Sequence, residues 1–466
     1  SLAMVLLTMP TAHAASPSYQ YSYWGDTVAA PVPYHATQLW DGRGSEAGNL
    51  LEPRDLFVTN DRLVYVLDSG NRRIVVLDEH LQLLRTIQDF SNEGRLDQFA
   101  EPQGIFVTDD KQIYVADTGN NRIVHLDDTG NVVKIIDNPQ SELLLSTFVF
   151  QPAKVVVDHA GRVYTMSIGV FDGFMEFNSD GTFSTFYGAN RVQVDPIEYV
   201  WKLLSTEEQR SRMVQFTPTE FTNLDIDADG FIYATSGDES GDPIKKLNAQ
   251  GVDILRREGP DSPIGDLRYF VDDGPSRLID IDVTDSEIYS VLDSKRGRIF
   301  TYNGDGYLLY VFGGLGNRVG EFRTPRAIER VGDKFLVLDQ ALGEITVFEP
   351  TEYGRALNGA VQAYDEGDEE LAALLFQKAV SLNANLEYAY NGIGKAKLRE
   401  GQYAEALMYF AESMDRKYYS KAFLLHRKEV LRRYFPSIMT GIVVIWLGWF
   451  VWKIYKKRRD RKKVAL

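Results

Sequence analysis

The sequence predicts an all-β propeller of six blades, followed by a helical region and one membrane-spanning helix. The first observation is a strand-rich unit written twice in close succession, with an offset of 102 − 53 = 49 residues, and four more times in degraded form. A self-similar unit of about 40–50 residues with about four strands is the signature of a propeller blade. The second observation is a helical pattern that repeats after 34 residues, and the third is a long apolar segment near the C-terminus.

Each predicted blade opens with an alternating apolar strand, and a polar hairpin turn and further strands follow. The two clearest copies occupy residues 53–78 and 102–127, and the other four open at Pro152, Pro218, Leu278 and Pro325. No fourth strand follows the last copy, whereas a strand near residues 32–39 precedes the first. We expect this early strand to complete the last blade, because an open sheet edge is a pairing hazard.

These repeats resemble the NHL repeat family over roughly residues 32–350, and the first two blades match it most closely. The resemblance implies a six-bladed propeller. An acidic and a basic residue recur at one position of the repeat, and we interpret them as bonds between strand ends and turns within a blade rather than as catalytic groups. The recurrent residues are Asp68, Asp117, Asp293 and Asp339, with Arg72 or Arg73, Arg122 and Arg298.

Composition excludes several kinds of site. The 466 residues contain no Cys, which rules out disulfides and thiolate metal sites. The six His are scattered without the i, i+4 spacing of a helical metal pair. Residues 225–230 begin like an EF-hand loop, but Ser236 replaces the twelfth-position Glu, so we interpret them as an ordinary hairpin turn. The net charge of −16 argues against nucleic acid, which needs a basic footprint. We expect no cofactor and no metal.

Two segments fall outside the repeat pattern. Residues 2–9 are apolar, and Ala12-His13-Ala14 fits a small-x-small cleavage site, so residues 1–14 predict the remnant of a secretory signal peptide. Between the third and fourth blades the spacing grows to 218 − 152 = 66 residues. The extra residues, 195–210, predict a helix with Pro in its first turn. Its aromatic side, with Tyr199, Trp201 and Leu204, either packs on the propeller rim or docks a partner.

From Tyr353 the sequence period becomes helical. Glycine, alanine and phenylalanine positions recur 34 residues apart, as in the pair Phe376 and Phe410. This is the tetratricopeptide period, with its small-residue and aromatic positions, and it predicts a tetratricopeptide-like domain over residues 351–420. Such repeats need neighbours to bury their faces, which a juxtamembrane helix at 421–434 would supply. The candidates for a partner interface here are Tyr364, Phe376, Tyr390 and Phe410.

Residues 435–455 are apolar and long enough to predict a transmembrane helix. Trp446, Trp449 and Trp452 form an aromatic belt at its lower end, and we regard them as candidates for packing against lipid or a partner. A basic tail follows at 456–466. Five basic residues also precede the span, and eight follow it. With a signal peptide in front, we expect the propeller outside the cell and the tail in the cytoplasm.

Propellers and helical hairpins are both binding surfaces, and the short tail leaves little room for signalling inside the cell. The overall pattern, including the insertion at 188–210, resembles bacterial membrane-anchored NHL proteins encoded beside carbohydrate ABC importers and a multi-span Yip-type protein. That resemblance implies a non-catalytic accessory subunit in the plasma membrane, with ABC permeases and a Yip-type protein as partners besides the lipid bilayer. The chain itself has no Walker-type nucleotide motif.

Two other classes of function remain open. One is a surface receptor that binds glycan or peptide through the propeller. The other is a propeller lactonase or lyase with a metal in the central channel. We identify no residue as catalytic.

Overall fold

We analysed a computed structural model that describes residues 18–144, 147–188, 220–237, 241–270 and 272–463, with side chains as far as residue 457. The predicted signal remnant at 1–14 lies outside these residues. The predicted inserted helix at 195–210, with Tyr199, Trp201 and Leu204, lies outside them as well.

The described residues form a ring of six sheets and two small hairpins. The chain starts with the hairpin of β1 (Tyr19–Tyr21) and β2 (Thr27–Ala29), and β3 (Tyr34–Trp40) follows. The first blade contains β4 (Asp55–Val58), β5 (Val64–Asp68), β6 (Arg73–Leu77) and β7 (Leu83–Ile87). The second hairpin, β8 (Asp89–Asn92) and β9 (Arg95–Gln98), leads to the second blade, which contains β10 (Gly104–Val107), β11 (Ile113–Asp117), β12 (Arg122–Leu126) and β13 (Val132–Ile136).

The remaining blades follow in the same antiparallel order. The third contains β14 (Pro152–Val157), β15 (Val163–Ser167), β16 (Phe174–Phe177) and β17 (Phe183–Tyr187), and the fourth contains β18 (Phe221–Ile226), β19 (Ile232–Ser236) and β20 (Ile244–Leu247). The fifth contains β21 (Leu278–Val283), β22 (Tyr289–Asp293), β23 (Arg298–Tyr302) and β24 (Leu308–Gly313), and the sixth contains β25 (Pro325–Val331), β26 (Lys334–Asp339) and β27 (Glu344–Pro350).

The early strand closes the ring. Strand β3 pairs antiparallel with β27, with Trp40 opposite Ile345 and Tyr34 opposite Pro350, and so becomes the outer strand of the sixth blade. This confirms the predicted closure. Because the first and last parts of the propeller share one sheet, the edge of β27 is covered.

The recurrent Asp and Arg residues bond to each other within the first two blades. Asp117 accepts hydrogen bonds from the Ala100 backbone N–H (2.7 Å) and from Arg122 Nε (2.8 Å). One blade earlier, Asp68 accepts from Arg73 Nε (2.7 Å), which identifies Arg73 rather than Arg72 as the repeat residue. The predicted structural role is therefore confirmed for the first two blades, whereas Arg298 of the fifth blade faces Asp266 (4.0 Å) rather than Asp293. The corresponding carboxylates of the fifth and sixth blades also accept backbone N–H bonds, in Asp293 and Asp339.

Five helices follow the propeller. They are α1 (Glu352–Asp365), α2 (Glu369–Leu382), α3 (Glu387–Arg399), α4 (Tyr403–Glu412) and α5 (Arg416–Lys463). The Thr351 side chain caps α1 and the Asp368 side chain caps α2, each accepting a backbone N–H that the first turn leaves without a helical partner. Consecutive helices pack together in two hairpins, with α5 against the second.

The propeller and the helices share one hydrophobic core. Tyr34 of β3, Phe312 of β24 and Leu357 of α1 belong to the same buried cluster, which extends to Phe376 of α2. The Asn358 side chain on α1 donates a hydrogen bond to the Tyr34 hydroxyl (2.8 Å). Since α1 packs directly on the sixth blade, the helical domain has a defined position on the propeller.

The last helix is unbroken over 48 residues, from Arg416 to Lys463. The predicted juxtamembrane helix at 421–434 and the predicted span at 435–455 are parts of this one element, and the helix begins five residues before the predicted boundary. Its most apolar stretch has a mean hydropathy of 1.7 and is fully exposed. By length and composition, this helix can cross a membrane.

Candidate functional site

The central channel of the propeller is filled by its own side chains. The first strand of each blade lines it, and the remaining cavity measures about 20 Å³, room for about one water molecule. The rings of Phe57 and Phe106 pack against each other there, with centroids 4.9 Å apart. The described part of the channel therefore offers no space to a substrate.

Seven ionisable side chains lie buried or half-buried around this channel. Lys154 of β14 donates to Asp55 of β4, and Arg330 of β25 forms an ion pair with Asp282 of β21 (3.1 Å). Buried charges of this kind are tolerated when they are paired and hydrogen-bonded. The complete group consists of Asp55, Asp225, Asp280, Asp282 and Glu329 with Lys154 and Arg330.

Carboxylates of this group form hydrogen bonds across four of the six junctions between neighbouring blades. Asp55 of the first blade accepts the Ile105 backbone N–H of the second (2.9 Å), and Asp280 of the fifth accepts the Ile328 N–H of the sixth (2.5 Å). Asp225 of the fourth blade and Glu329 of the sixth make the same kind of bond to the fifth and the first blade, respectively. The buried carboxylates therefore connect neighbouring blades by hydrogen bonds.

Burial favours the neutral form of several of these carboxyl groups. It raises the pKa of Asp280 to about 7, although nearby Lys154 acts in the opposite direction. Burial likewise raises the pKa values of Asp225 and Glu329 well above their ordinary range, and neighbouring carboxylates add to this effect. Among the residues that the structure describes, no group of three or more His, Asp or Glu side chains is arranged to hold a metal ion.

A much larger cavity, of about 460 Å³, lies between the propeller and the helical domain. Its walls come from four parts of the chain that are far apart in sequence. These are the leader hairpin (residues 18–29, with β1 and β2), the segment 258–267, the fifth blade around Tyr302 to Leu308, and the helical domain from Leu386 to Tyr418.

The leader hairpin is fastened on both sides of this cavity. The Ser18 hydroxyl donates to the Val311 carbonyl of the fifth blade (2.7 Å). On the other side, the Asn383 side-chain amide donates to Gln20 Oε1 (2.7 Å) at the end of α2. The backbone N–H of Tyr23 donates to a carboxylate oxygen of Glu387 on α3 (3.1 Å). The hairpin thus bridges the two domains and forms one wall of the cavity.

Tyrosine rings and carboxylates dominate the lining. Tyr307 and Tyr388 lie with ring centroids 5.2 Å apart, and the Asn303 side chain donates to the Tyr388 hydroxyl (2.9 Å). Burial raises the pKa of Asp261, and it raises the pKa of Glu387 with a further contribution from Asp261. The remaining charged residues of the lining are Glu258, Asp415, Arg416 and Lys417.

Asn391 of α3 also lines the cavity and is only 4% exposed. Its Nδ2 donates to Asp415 (2.5 Å), so the amide orientation is set and Oδ1 is the free acceptor. This Oδ1 has no hydrogen-bond partner among the described residues. A buried amide oxygen without a partner is costly, and it marks a place where a hydrogen-bond donor would be stabilised.

The residues proposed from sequence as interface candidates lie elsewhere. Phe376 and Phe410 are buried in the helical domain and present no surface to a partner in this conformation. Gly392 and Gly394 make room for them, because a Cβ would stand 2.4 Å from the Phe376 ring and 2.8 Å from the Phe410 ring. Three candidates on α5 are exposed, namely Trp446, Trp449 and Trp452.

The other two candidates are half-buried on the first and third helices. Tyr364 stacks under the cationic groups of Lys395 (5.4 Å) and Arg399 (5.5 Å), and Tyr390 lies 6.5 Å from the ring of Tyr409. None of these candidates lines the junction cavity. Sequence reasoning missed the cavity, and the concentration of Tyr in the leader was the one local signal for it.

Comparison with known families identifies one repeat. The NHL repeat description matches residues 99–126, which lead into and form much of the second blade. The chain contains an NHL repeat. A search of curated proteins finds no sequence match.

Three solved structures with a similar course of the chain are virginiamycin B or streptogramin B lyases. A selenomethionine-substituted virginiamycin B lyase from Staphylococcus aureus is 10% identical, with a TM-score of 0.42, over 68% of this chain and 99% of the lyase. A streptogramin B lyase is also 10% identical, with a TM-score of 0.40, over 68% of this chain and 98% of the lyase. The catalytically inactive virginiamycin B lyase with quinupristin has a TM-score of 0.39 at 10% identity, over 73% of this chain and 97% of the lyase. Likeness at this level carries no information about activity.

Proposed function

We propose that this protein is a non-catalytic interaction subunit of a cell-surface membrane complex, anchored by α5. The observation that supports this proposal best is the continuity of the molecule. The propeller shares its core with α1, the helices pack in series, and α5 continues without a break into a segment that is apolar enough for a membrane. Both binding surfaces are thereby connected to the proposed anchor through one continuous helix.

Exposed apolar side chains on the helical domain supply a surface for the partner. Leu374 of α2 is 60% exposed and Met408 of α4 is 62% exposed, while the same helices bury Phe376 and Phe410 on the opposite side. The two residues stand 34 positions apart, at equivalent places of the helical repeat, and exposed apolar side chains of this kind are candidates for a protein-binding surface. The filled propeller channel further favours binding over chemistry as the role of the propeller.

The class of complex we propose is a carbohydrate ABC importer, with permease subunits and a Yip-type membrane protein as partners. This finer assignment rests on the sequence resemblance to bacterial membrane-anchored NHL proteins. The same resemblance supports a plasma-membrane location with the propeller outside and the C-terminus in the cytoplasm.

Mild-detergent purification of the tagged full-length protein from its own host, followed by mass spectrometry, tests the proposal. We expect permeases, an ATPase or a solute-binding protein in stoichiometric amounts. The double variant Leu374→Glu/Met408→Glu should lose the partner. The matched control Leu96→Glu, at an exposed position of the propeller hairpin β8–β9, should keep it. A protein that purifies alone as a monomer would contradict the proposal.

A second candidate function is a receptor. The junction cavity favours this reading, because it is large enough for a small ligand and its walls carry both aromatic rings and polar groups. A glycan array with the full-length protein tests that reading. Assays with streptogramin B and with sugar lactones on the same preparation test the lyase alternative, and turnover would overturn the non-catalytic part of the proposal.

A further inference from the structure

We propose that the junction cavity is a binding site for an organic cation, an ammonium or guanidinium group held by Asp261 and Glu387 against the rings of Tyr307 and Tyr388. All four residues line the same cavity of about 460 Å³. This site goes beyond the function proposed above, because it is a property of the chain itself and holds whether or not a membrane complex is found.

The first support is negative charge without a partner. The Asp261 side chain makes no hydrogen bond or ion pair with any residue the structure describes, and Glu387 is bonded only to the Tyr23 backbone N–H (3.1 Å). Half-buried carboxylates that lack a counter-charge are unfavourable. Arg416 and Lys417 stand at the exposed rim of the cavity and form no ion pair with either carboxylate within the described chain. A cation that enters the cavity would neutralise both groups.

The second support comes from the aromatic walls. The face of a Tyr ring attracts an ammonium or guanidinium group within about 6 Å of its centroid. The protein already uses this attraction beside the cavity, where Arg298 lies 4.6 Å over the ring of Tyr19 and Lys395 lies 4.9 Å over the ring of Tyr418. Tyr307 and Tyr388 offer the same kind of surface inside the cavity without a cation of the protein placed over them among the described residues.

The third support is the balance of donors and acceptors. Asn391 lines the cavity with a buried Oδ1 that lacks a partner, and the carboxylates of Asp261 and Glu387 accept hydrogen bonds only. Ammonium and guanidinium groups donate hydrogen bonds and accept none, so they match this lining. A neutral sugar brings donors and acceptors together, and an anion brings acceptors alone. The part of the wall formed by Asp261, Glu387 and Asn391 therefore favours a cation over both.

The cation can belong to a free small molecule or to a basic side chain of a partner protein, and separate arms of one experiment distinguish the two. Isothermal titration of the full-length protein in nanodiscs would use putrescine and L-arginine methyl ester in one arm. A capped Gly-Arg-Gly peptide would be used in the other, with maltose as the neutral probe and glutamate as the anionic probe. A free ligand predicts tighter binding of the small amines, and a side chain predicts tighter binding of the peptide.

We expect Asp261→Asn and Glu387→Gln each to weaken the binding of the preferred cation at least tenfold. The matched control Glu370→Gln, at an exposed position of α2 outside the cavity, should leave it unchanged. Asp261→Asn removes no contact of the folded chain, and a Gln at position 387 can still accept from Tyr23, so thermal unfolding midpoints should stay near that of the parent. Absence of binding by every cationic probe would overturn the proposal.

The pH dependence supplies an independent readout. Lowering the pH protonates Asp261 and Glu387, whose pKa values are raised, so the cation should bind more weakly in acid. The other charged groups that face the cavity are Glu258, Asp415, Arg416 and Lys417.

Binding of maltose that matches or exceeds that of the cations, and that is unaffected by Asp261→Asn, would equally contradict the site. Co-purification of partners is measured without these probes. The membrane-complex proposal and the cation-site proposal can therefore fail independently of each other.

Discussion

Lys154 of the third blade reaches Asp55 of the first blade across the centre of the propeller, and its ammonium group donates a hydrogen bond to the Asp55 carboxylate. The two side chains are 13% and 6% exposed. Asp55 also accepts the Ile105 backbone N–H of the second blade. Through the ion pair and this backbone hydrogen bond, Asp55 therefore connects three blades. The first and third of them are not adjacent in the ring.

Replacing Lys154 with Met should destabilise the protein by about 3–5 kcal/mol, because it leaves the Asp55 charge buried without a partner. Thermal and denaturant unfolding of the detergent-solubilised protein measure this loss. The double variant Lys154→Met/Asp55→Asn should recover much of it, since the uncompensated charge is gone. As a control, Lys111→Met breaks the exposed pair with Asp61 and should cost less than about 1 kcal/mol. Equal losses at both sites would contradict the role of the central pair.

The buried Asp280 makes stability depend on pH. Its pKa is raised from 3.8 to about 7 in the folded protein, so folding favours the neutral carboxyl. The stabilisation is fully present below pH 3.8 and is lost as the pH rises through about 7. The difference between these two pKa values corresponds to about 4 kcal/mol in the free energy of unfolding. Asp280→Asn should therefore gain stability relative to the parent between pH 5 and pH 8, as measured by unfolding midpoints at each pH. The exposed variant Asp180→Asn should follow the parental profile, and a parental profile for Asp280→Asn would refute this prediction.

Tyr34 joins the closing strand to both domains. It is buried, its ring stacks on Phe312 with centroids 5.0 Å apart, and its hydroxyl accepts from Asn358 of α1. Tyr34→Ala should destabilise the protein by about 3–5 kcal/mol, as large aromatic truncations in cores do. The control Leu39→Ala lies on the same strand with its side chain 43% exposed and should cost clearly less, about 1 kcal/mol. Chemical denaturation distinguishes the two, and similar losses would mean that Tyr34 does not carry the closure.

The orientation in the membrane can be read with thiol labelling, because the chain has no native Cys. We expect a membrane-impermeant maleimide to label Trp24→Cys on intact cells, since Trp24 is 72% exposed on the leader hairpin. Lys457→Cys, beyond the apolar part of α5, should be labelled only after the membrane is permeabilised. Labelling of Lys457→Cys but not of Trp24→Cys on intact cells would reverse the proposed topology.

The propeller could be predicted because each blade repeats a local pattern. Apolar strands and hairpin turns recur in every unit and a terminal Asp recurs in four of the six, so the closing strand followed from counting. Even the repeat Arg of the first blade has a local explanation. Arg72 adopts the left-handed conformation (φ 56°) that ends a short 3-10 turn, and it is Arg73, the next residue, that reaches Asp68.

The junction cavity could not be predicted because no local pattern contains it. Tyr23, Asp261 and Glu387 come together only when the leader hairpin packs between the fifth blade and α3. The buried aromatics of the helical domain show a related limit. Periodicity placed Phe376 and Phe410 at equivalent positions, but it could not tell whether they face a partner or the neighbouring helix. That depended on Gly392 and Gly394, whose missing Cβ atoms admit the two rings.

The unbroken helix α5 has a mechanical consequence. Residues 416–434 lie before the apolar segment and extend about 28 Å at 1.5 Å per residue. Transmembrane helices tilt by about 20° on average, and a tilt of that size would swing the base of the helical domain sideways by about 10 Å. Pro436, inside the helix where the apolar segment begins, supplies no N–H to the helix ladder and is the natural point of bending. As the proposed anchor, α5 would thus act as a stiff arm with one joint, through which a change of bilayer thickness or a partner's motion would reposition the entire propeller.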